Sequence, residues 1–381
     1  MISVPGEIRD LSAIAAMVVD QHRAAPCAVV AAAVRRGGAI HRGLGAAGRL
    51  WLDGPDSEAP PARPDTLFDL ASLTKPVTAL TLARLGRAGR LDRAERLAEV
   101  LPALAGTRSA RVSLDLLTAH RAGLDGHRPL YAPLLEGGSV DVAAALVTAA
   151  DARRHGCDGD PPPGGFPPVY SDLGYLLVGA AIAARVGDAL DAVMDREVAA
   201  PLGLDLASAR RLRARGPSFA FDARVAPTEI VPWRDGVVRG EVHDENAWAV
   251  ARDGAAGHAG LFGDARSVLD LGLAVLDARA GRCPSFLHPA DLEPLVRDRP
   301  GGSLLAGFDR RSGPAPLSGS RFGARTFGHL GFTGTSLWID PDAELVGVLL
   351  TNRVHPLRTG DAIRRARPAV YDALADAMLR G

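Results

Sequence analysis

Apolar residues follow two patterns near the N-terminus, first helical spacing and then two strand-like stretches. Within residues 7–24, four apolar residues lie three or four positions apart, which is typical of one face of an amphipathic helix. The stretches 27–34 and 39–46 resemble β-strands and lie on either side of Gly37-Gly38, a pair typical of a hairpin turn. We therefore predict a helix followed by two paired strands.

Helical spacing dominates the middle of the chain, and strand-like runs return near the C-terminus. The predicted helices cover residues 72–85, 91–104, 113–119, 140–152, 173–186, 190–199, 267–280 and 361–379, and the predicted strands cover 325–331, 335–339 and 345–351. Residues 205–260 are predicted to be irregular. Strands at both ends predict one sheet, in an α/β domain formed by residues 1–86 and 262–381. A helical and irregular domain, residues 87–261, is inserted, and ligands usually bind in the cleft between such domains.

Length and composition restrict the protein class. The chain has 381 residues, a formal net charge of zero, and 47% hydrophobic and 23% charged residues, which fits one large or two coupled globular domains. Zero net charge gives no support for binding nucleic acid or an anionic membrane surface. The acidic residues Glu7 and Asp10 before the first apolar stretch argue against a signal peptide, so we expect a cytoplasmic protein. Three distant cysteines predict neither a disulfide framework nor a thiolate metal site.

Lysine is almost absent from the chain. Lysine and arginine together number 44, and Lys75 is the single lysine among them. Arginine stays protonated in proteins, whereas a lysine amine can lose its proton when it is buried or crowded. We interpret Lys75 as a position that needs such an amine. The alternative is that one leftover lysine stands there by chance.

Ser72 and Lys75 form a Ser-x-x-Lys motif at the start of a predicted helix. Residues three apart share a helix face, with Cβ atoms roughly 5–6 Å apart, so the amine can reach the hydroxyl. A serine hydroxyl is a weak nucleophile until a neighbouring base takes its proton. Lysine can act as that base at neutral pH if its pKa falls by about 3 units from about 10.4. We interpret Ser72 as the nucleophile and Lys75 as the base.

Tyr170-Ser171-Asp172 lies between a loop rich in proline and glycine and a predicted helix. A phenol at this junction can pass a proton between Ser72 and a leaving group. The alternative is that Tyr170 packs in the core and Asp172 caps the helix.

Residues 328–334 read Gly-His-Leu-Gly-Phe-Thr-Gly. Small residues on a strand beside a cleft let substrate approach the backbone closely. Main-chain N–H groups in this segment could form an oxyanion hole with that of Ser72. The alternative is a hairpin broken by glycine, with His329 exposed.

In this order, the three motifs resemble those of the penicillin-recognising serine hydrolases, in the branch that contains class C β-lactamases, D-alanyl-D-alanine carboxypeptidases and related esterases. That family carries S-x-x-K, Y-x-N, and K-T-G or H-x-G. They are matched here at Ser72/Lys75, Tyr170–Asp172 and His329–Gly331. Flanking segments agree, including LTAHRAGL at 117–124, YSDLGYLL at 170–177, AGHAGLF at 256–262 and TGTSLWIDP at 333–341.

The resemblance implies a β-lactamase/transpeptidase-like fold, with an antiparallel sheet flanked by helices and an inserted helical domain. It also implies an acyl-enzyme on Ser72, with Lys75 and Tyr170 managing protons. By the family pattern, the oxyanion hole would consist of the N–H groups of Ser72 and Phe332. Neither a cofactor nor a metal is expected.

Two departures from the family pattern concern substrate binding. Asp172 stands where the family has asparagine, and its negative charge would raise the pKa of Lys75. His329 and Leu330 stand where β-lactamases have the lysine and threonine that grip a substrate carboxylate, so strong β-lactamase activity is not expected. Arg353 is a candidate for a replacement carboxylate contact, unless it is simply exposed.

Gly331, His258 and His120 complete the set of residues that the sequence singles out. Gly331 is a candidate substrate-binding residue. His258 is a candidate cleft residue, with a structural role in a loop as its alternative. We assign His120 to packing.

These observations predict a serine hydrolase that acts through an acyl-enzyme on a small-molecule or peptide substrate with an amide, D-amino-acid peptide or ester bond. The alternative is a catalytically inactive binding or sensing protein of the same fold, since Asp172 and His329 depart from the family pattern. The sequence leaves the oligomeric state open.

Overall fold

The computed structural model describes residues 8–51 and 58–380. Its strands are β1 (Arg9–Asp10), β2 (Cys27–Arg36), β3 (Ala39–Gly48), β4 (Phe68–Asp69), β5 (Leu206–Ser208), β6 (Ile230–Val231), β7 (Gly236–Val237), β8 (Leu261–Gly263), β9 (Asp309–Arg310), β10 (Phe327–Leu330), β11 (Ser336–Asp340) and β12 (Leu345–Thr351). Seven of them form the main sheet in the order β1-β3-β2-β12-β11-β10-β9. Two small sheets have the orders β4-β8-β5 and β6-β7.

The α-helices range from three to eighteen residues in length. They are α1 (Ser12–Ala16), α2 (Thr74–Arg87), α3 (Leu97–Val100), α4 (Leu114–Thr118), α5 (Ala132–Leu135), α6 (Val142–Asp151), α7 (Asp172–Val186), α8 (Leu190–Met194), α9 (Ala200–Leu202), α10 (Ala209–Ala214), α11 (Ser218–Arg224), α12 (Glu245–Ala251), α13 (Ala265–Arg279), α14 (Pro289–Val296) and α15 (Ala362–Leu379). Within residues 8–51 and 58–380, none of the helices has both the length and the apolar character needed to cross a bilayer.

Both ends of the chain contribute to the main sheet. β1, β2 and β3 come from the N-terminal end, and β9 to β12 come from the C-terminal end. Every pairing is antiparallel except the two-residue parallel contact between β1 and β3. The predicted antiparallel sheet flanked by helices is confirmed. The predicted domain boundaries, after residues 86 and 261, stay predictions.

Strand β2 is apolar at successive positions because both of its faces are covered. Val29 and Ala31 belong to the larger core cluster, whereas Val30 and Ala32 belong to the second cluster, under α1 and α15. All four side chains are fully buried. A strand covered on both faces needs apolar residues at every position. The predicted hairpin turn is also present, and Gly37 and Gly38 have φ values of 55° and 81°, which suit glycine.

Three regions differ from the predicted elements. The helix predicted over 91–104 is reduced to α3 and a 3₁₀ turn, and α3 ends before Pro102, which lacks the N–H that would continue the helix. Residues 205–260, predicted to be irregular, contain the strands β5 to β7 and the helices α10 to α12. Near the N-terminus, α1 continues as a π-helical turn, Met17–Gln21, and residue 7 lies outside the described residues.

Candidate active site

Ser72 lies in a short 3₁₀ turn, Ala71–Leu73, that leads into α2. The residue before it, Ala71, has φ of 47°, a left-handed conformation that costs a non-glycine residue about 1–3 kcal/mol. The side chain of Asp69 supports this conformation by accepting the Ala71 N–H at 2.7 Å through Oδ1. Asp69 also accepts the main-chain N–H of His243 through Oδ2 at 2.7 Å. Asp69 thus stabilises the strained backbone at Ala71 and links it to His243, and Ser72 follows this turn at the edge of the cleft.

Lys75 lies against Ser72 in the interior of the site, and its side chain is fully buried. Its Nζ donates to the Ser72 Oγ at 2.8 Å and to the main-chain oxygen of His258 at 3.2 Å. The Asp172 Oδ1 lies 2.6 Å from the same nitrogen. The spacing of Ser72 and Lys75 in the sequence therefore places the two groups in direct contact, as predicted.

Lys75 is an ammonium in the resting site. Burial alone would lower its pKa, but the negative charge of Asp172, with a further contribution from Tyr170, raises the pKa above the ordinary value for lysine. The fall in pKa that we expected for a lysine base is therefore wrong for this arrangement. Asp172 raises the pKa of Lys75, which is the direction expected from the sequence.

Asp172 is the first residue of α7 and not its cap. The cap is Ser171, whose Oγ accepts the N–H of Gly174 at 3.3 Å and donates to the Asp125 carbonyl at 2.6 Å. With the capping function supplied by Ser171, the Asp172 carboxylate is directed to Lys75. The alternative interpretation, in which Asp172 caps the helix, is wrong.

Tyr170 lies above the Lys75 ammonium, with the Nζ 4.8 Å from its ring centroid. Loss of hydration, with a contribution from the negative charge of Asp172, raises the pKa of the phenol above its ordinary value, although the charge of Lys75 and hydrogen bonding with Lys75 and Ser72 act in the opposite direction. The residue is 36% exposed, towards the cleft it lines. A substrate that covers Tyr170 would remove more water and strengthen each of these electrostatic influences.

The segment from Gly331 to Thr335 is tied to the backbone just before Ser72. The Thr333 hydroxyl donates to the Asp69 carbonyl at 2.8 Å, and the Thr335 hydroxyl donates to the Leu70 carbonyl at 3.0 Å. A Cβ on Gly331 would lie 1.9 Å from the Thr335 Oγ1, so this close approach requires glycine. These contacts hold Phe332 at a fixed position relative to Ser72.

Phe332 contributes both a main-chain group and an aromatic wall. Its N–H makes no hydrogen bond within residues 8–51 and 58–380, which fits the predicted oxyanion donor. Its ring is 49% exposed and lies between two other groups of the cleft. The His243 ring stacks on it with centroids 5.8 Å apart, and the Arg353 guanidinium lies 4.7 Å from its centroid.

His329 is buried at 4% exposure on β10, so the alternative of an exposed residue is wrong. Its Nδ1 donates to the Leu330 carbonyl at 2.8 Å. Burial, followed by the nearby Lys75 charge, lowers the pKa of His329 to about 3. The imidazole is neutral at physiological pH, and it lies 6.1 Å from the Tyr170 ring, centroid to centroid. It cannot supply the permanent charge that a lysine would provide.

The cleft in front of Ser72 has a volume of about 680 Å³. Tyr170, Asp172, Gly331, Phe332 and Arg353 all line it, so the structure brings these predicted site residues together. Arg353 is half-buried, and among the described residues no carboxylate pairs with it. Its Nε donates to the Phe332 carbonyl at 2.8 Å, and its Nη1 donates to the Arg358 carbonyl at 3.3 Å.

His258 does not reach the cleft, since it is only 1% exposed. Its Nε2 pairs with the Asp244 Oδ1 at 2.9 Å, and Asp244 lines the cleft in its place. Burial alone would lower the pKa of His258, but the Asp244 carboxylate raises it above the ordinary value. The prediction that His258 lines the cleft is wrong, although its carbonyl holds Lys75.

Sequence reasoning missed several residues of the cleft wall. Arg358, Arg364 and Arg367 line the cleft from the segment that includes the start of α15. Nothing in their local sequence distinguishes them from the other arginines. Among the described residues, no group of three or more His, Cys, Asp or Glu side chains could hold a metal ion.

Comparisons with known proteins place the chain in a family. The family model described as Beta-lactamase matches residues 15–371. The chain belongs to the β-lactamase family. It is 31% identical over 318 residues to the N-acetylmuramyl-L-alanine amidase of Bacillus subtilis, covering 76% of this chain and 68% of that protein. Identity to the putative D-alanyl-D-alanine carboxypeptidase of Escherichia coli is 28% over 314 residues, covering 76% and 70%.

A solved structure agrees on the fold. EstCE1, a hydrolase with promiscuous acyltransferase activity, superposes with a TM-score of 0.66 at 22% identity, covering 94% of this chain and 97% of that one. At this identity the likeness shows the fold alone. As a member of the β-lactamase family, the protein is a serine hydrolase.

Proposed function

We propose that this serine hydrolase cleaves small amide, D-amino-acid peptide or ester bonds through an acyl-enzyme on Ser72. The observation that carries the proposal is the contact of 2.8 Å between the Ser72 Oγ and the Lys75 Nζ in a cleft of about 680 Å³. The names of the amidase and carboxypeptidase relatives support amide substrates. An ester needs the same attack on a carbonyl carbon and has a better leaving group.

We assign the base to Tyr170, because Asp172 holds Lys75 in its protonated form. When the pair of Lys75 and Tyr170 loses one proton, the ammonium remains and stabilises a phenolate only 4.8 Å from its nitrogen, measured to the ring centroid. The two groups titrate as a unit, so the proton loss belongs to the pair. The Tyr170 phenolate then accepts the Ser72 proton.

In the acylation step, the Ser72 Oγ attacks the carbonyl carbon while its proton passes to the Tyr170 oxygen. The N–H groups of Ser72 and Phe332 are placed to stabilise the oxyanion of the tetrahedral intermediate. Collapse of the intermediate breaks the bond to the leaving group, which takes the proton back from Tyr170. In deacylation, the phenolate takes a proton from water as the hydroxyl attacks, and that proton then returns to the Ser72 Oγ.

Intact-mass measurement tests this proposal. The protein is incubated separately with a chromogenic ester and a penicillin, and its mass is followed with time. We expect the acyl mass to appear and disappear with the ester, in step with release of the chromophore. No adduct with any ester would contradict the proposal. A stable adduct without turnover would favour a binding or sensing protein.

We also propose that Arg353 binds a carboxylate of the substrate, because it lines the cleft and, among the described residues, its guanidinium donates to main-chain carbonyls. A hydrogen bond between two charged groups contributes about 1.5–3 kcal/mol. For an Arg353→Gln variant, we therefore expect KM for a depsipeptide with a free carboxylate to rise at least about 10-fold. KM for its methyl ester should change less than about 2-fold. Steady-state kinetics on both substrates would show this difference.

The methyl ester is also the control for the contact of Arg353 with the Phe332 carbonyl. An equal loss on both substrates would assign Arg353 to supporting the Phe332 segment and would refute the carboxylate contact. Arg380→Gln, which removes a surface arginine paired with Asp376, serves as the matched variant.

A further inference from the structure

His120 contacts three consecutive residues, with Tyr170 in the centre. Its main-chain oxygen accepts the N–H of Val169 at 3.1 Å. Its Nδ1 accepts the N–H of Ser171 at 3.0 Å. Its ring stacks on that of Tyr170, with centroids 4.7 Å apart and planes inclined by 27°. One side chain and its own backbone therefore fix the residues on both sides of Tyr170 and the ring itself.

The backbone and charge of His120 are both unusual for a residue that only packs. It has φ of 59°, a conformation that non-glycine residues rarely adopt, and it is 4% exposed. Burial, and then the charge of Lys75, hold the pKa of His120 well below its usual range. The imidazole is therefore neutral, and since Nδ1 accepts a hydrogen bond, its proton is on Nε2.

A second tyrosine supports the His120 ring. The Tyr175 ring lies 5.2 Å from it, centroid to centroid, at an inclination of 42°. The Tyr175 hydroxyl donates to the Thr118 carbonyl at 2.8 Å, two residues before His120. Tyr175 and His120 therefore brace each other, and the stacking surface offered to Tyr170 has a fixed orientation.

We propose that His120 is a positioning residue that orients the Tyr170 phenol for proton transfer. The inference rests on the proposed function, in which Tyr170 takes the Ser72 proton and returns it to the leaving group. A phenol that is free to rotate about its side-chain bonds would spend less time in line with both partners, which lowers the rate of each transfer. The packing role that the sequence indicates is therefore incomplete.

The test uses two variants that separate the contacts of His120. His120→Phe keeps an aromatic ring against Tyr170 but loses the acceptor for the Ser171 N–H. His120→Asn keeps an amide oxygen as acceptor and tolerates the positive φ, but loses the stacked ring. Measuring Tm for both variants reports any loss of folding. His155→Phe, at an exposed histidine, is the matched control.

The readout is the dependence of kcat/KM on the leaving group in a series of esters with one acyl group. Nitrophenol leaves with little help from an acid, whereas an alkyl alcohol must be protonated as it leaves. We expect each His120 variant to lose about 10-fold on the nitrophenyl ester and about 100-fold on the alkyl ester. The plot of log kcat/KM against leaving-group pKa should therefore steepen, while KM changes less than about 2-fold.

Other outcomes separate this inference from the proposed function. Equal losses across the series, or losses that follow the fall in Tm, would assign His120 a purely structural role and overturn the inference. Labelling of Ser72 by a fluorophosphonate in the wild-type protein is measured first. Failure of that labelling would count against the proposed function itself, and with it against the inference. If both His120 variants keep the wild-type slope of log kcat/KM against leaving-group pKa, the inference is contradicted and the proposed function is unaffected.

Discussion

Replacing Ser72 by alanine is expected to abolish covalent labelling by a fluorophosphonate or a fluorescent penicillin and to lower ester kcat/KM by at least about 10⁴-fold. The hydroxyl is the atom that forms the acyl bond, and the cleft offers no equivalent nucleophile within reach of Lys75 among the described residues. Loss of a catalytic nucleophile typically leaves only the rate due to binding and the oxyanion hole. Gel fluorescence and steady-state kinetics measure both effects.

The fold should survive this substitution, since the Ser72 side chain lies at the cleft and is not part of the core. We expect Tm to change by no more than a few degrees. Ser285→Ala removes a hydroxyl from an exposed position and should keep full labelling. Equal labelling of the wild-type and Ser72→Ala proteins would refute the assignment of the nucleophile.

Replacing Asp172 by asparagine is expected to increase kcat/KM at pH 7 by about 100-fold. The negative charge of Asp172 lies 2.6 Å from the Lys75 Nζ and raises the pKa of Lys75. Activity requires the pair of Lys75 and Tyr170 to lose one proton, so the raised pKa confines the active form to alkaline pH. A neutral amide leaves burial dominant, which lowers the pKa. A nearby opposite charge typically shifts a pKa by 1–3 units, so its removal should increase the deprotonated fraction of the pair at pH 7 by between about 10-fold and about 1,000-fold.

The pH profile of kcat/KM tests this prediction directly. In the wild-type protein the rate should keep rising with pH into the alkaline range. In the Asp172→Asn variant the same rise should occur at lower pH. Asp361→Asn makes the same change of charge in the same cleft, where Asp361 pairs with Arg365, and should leave the profile in place. An unchanged profile in Asp172→Asn, or a shift to higher pH, would contradict the role of Asp172.

The sheet could be predicted from the sequence because its strands are marked by local patterns. The run at β2 is apolar at every position since both faces of the strand are covered. The glycine pair at residues 37–38 indicates the turn without any knowledge of the fold. Residues 205–260 lack such patterns, because their short elements are stabilised by contacts with distant residues. An example is β5, which pairs with β8, a strand more than fifty residues further along the chain.

The site was predictable where residues close in sequence are also close in space. Ser72 and Lys75 are three positions apart, and helical geometry alone brings them together. The protonation state of Lys75 was not predictable from that spacing, because it depends on Asp172, which arrives from another helix at a distance of 2.6 Å. The orientation of His258, away from the cleft, also depends on a partner, Asp244, that only the fold supplies.

The uniqueness of Lys75 makes its protonation state accessible to spectroscopy. A protein produced with ¹³C-labelled lysine would carry the label at one residue of this sequence. Its ε-methylene group would then give one NMR resonance, assigned without mutagenesis. That chemical shift changes when the amine loses its proton. A pH titration of the wild-type protein would therefore report the protonation of one buried amine, and the same resonance could be followed while an acyl adduct forms on Ser72.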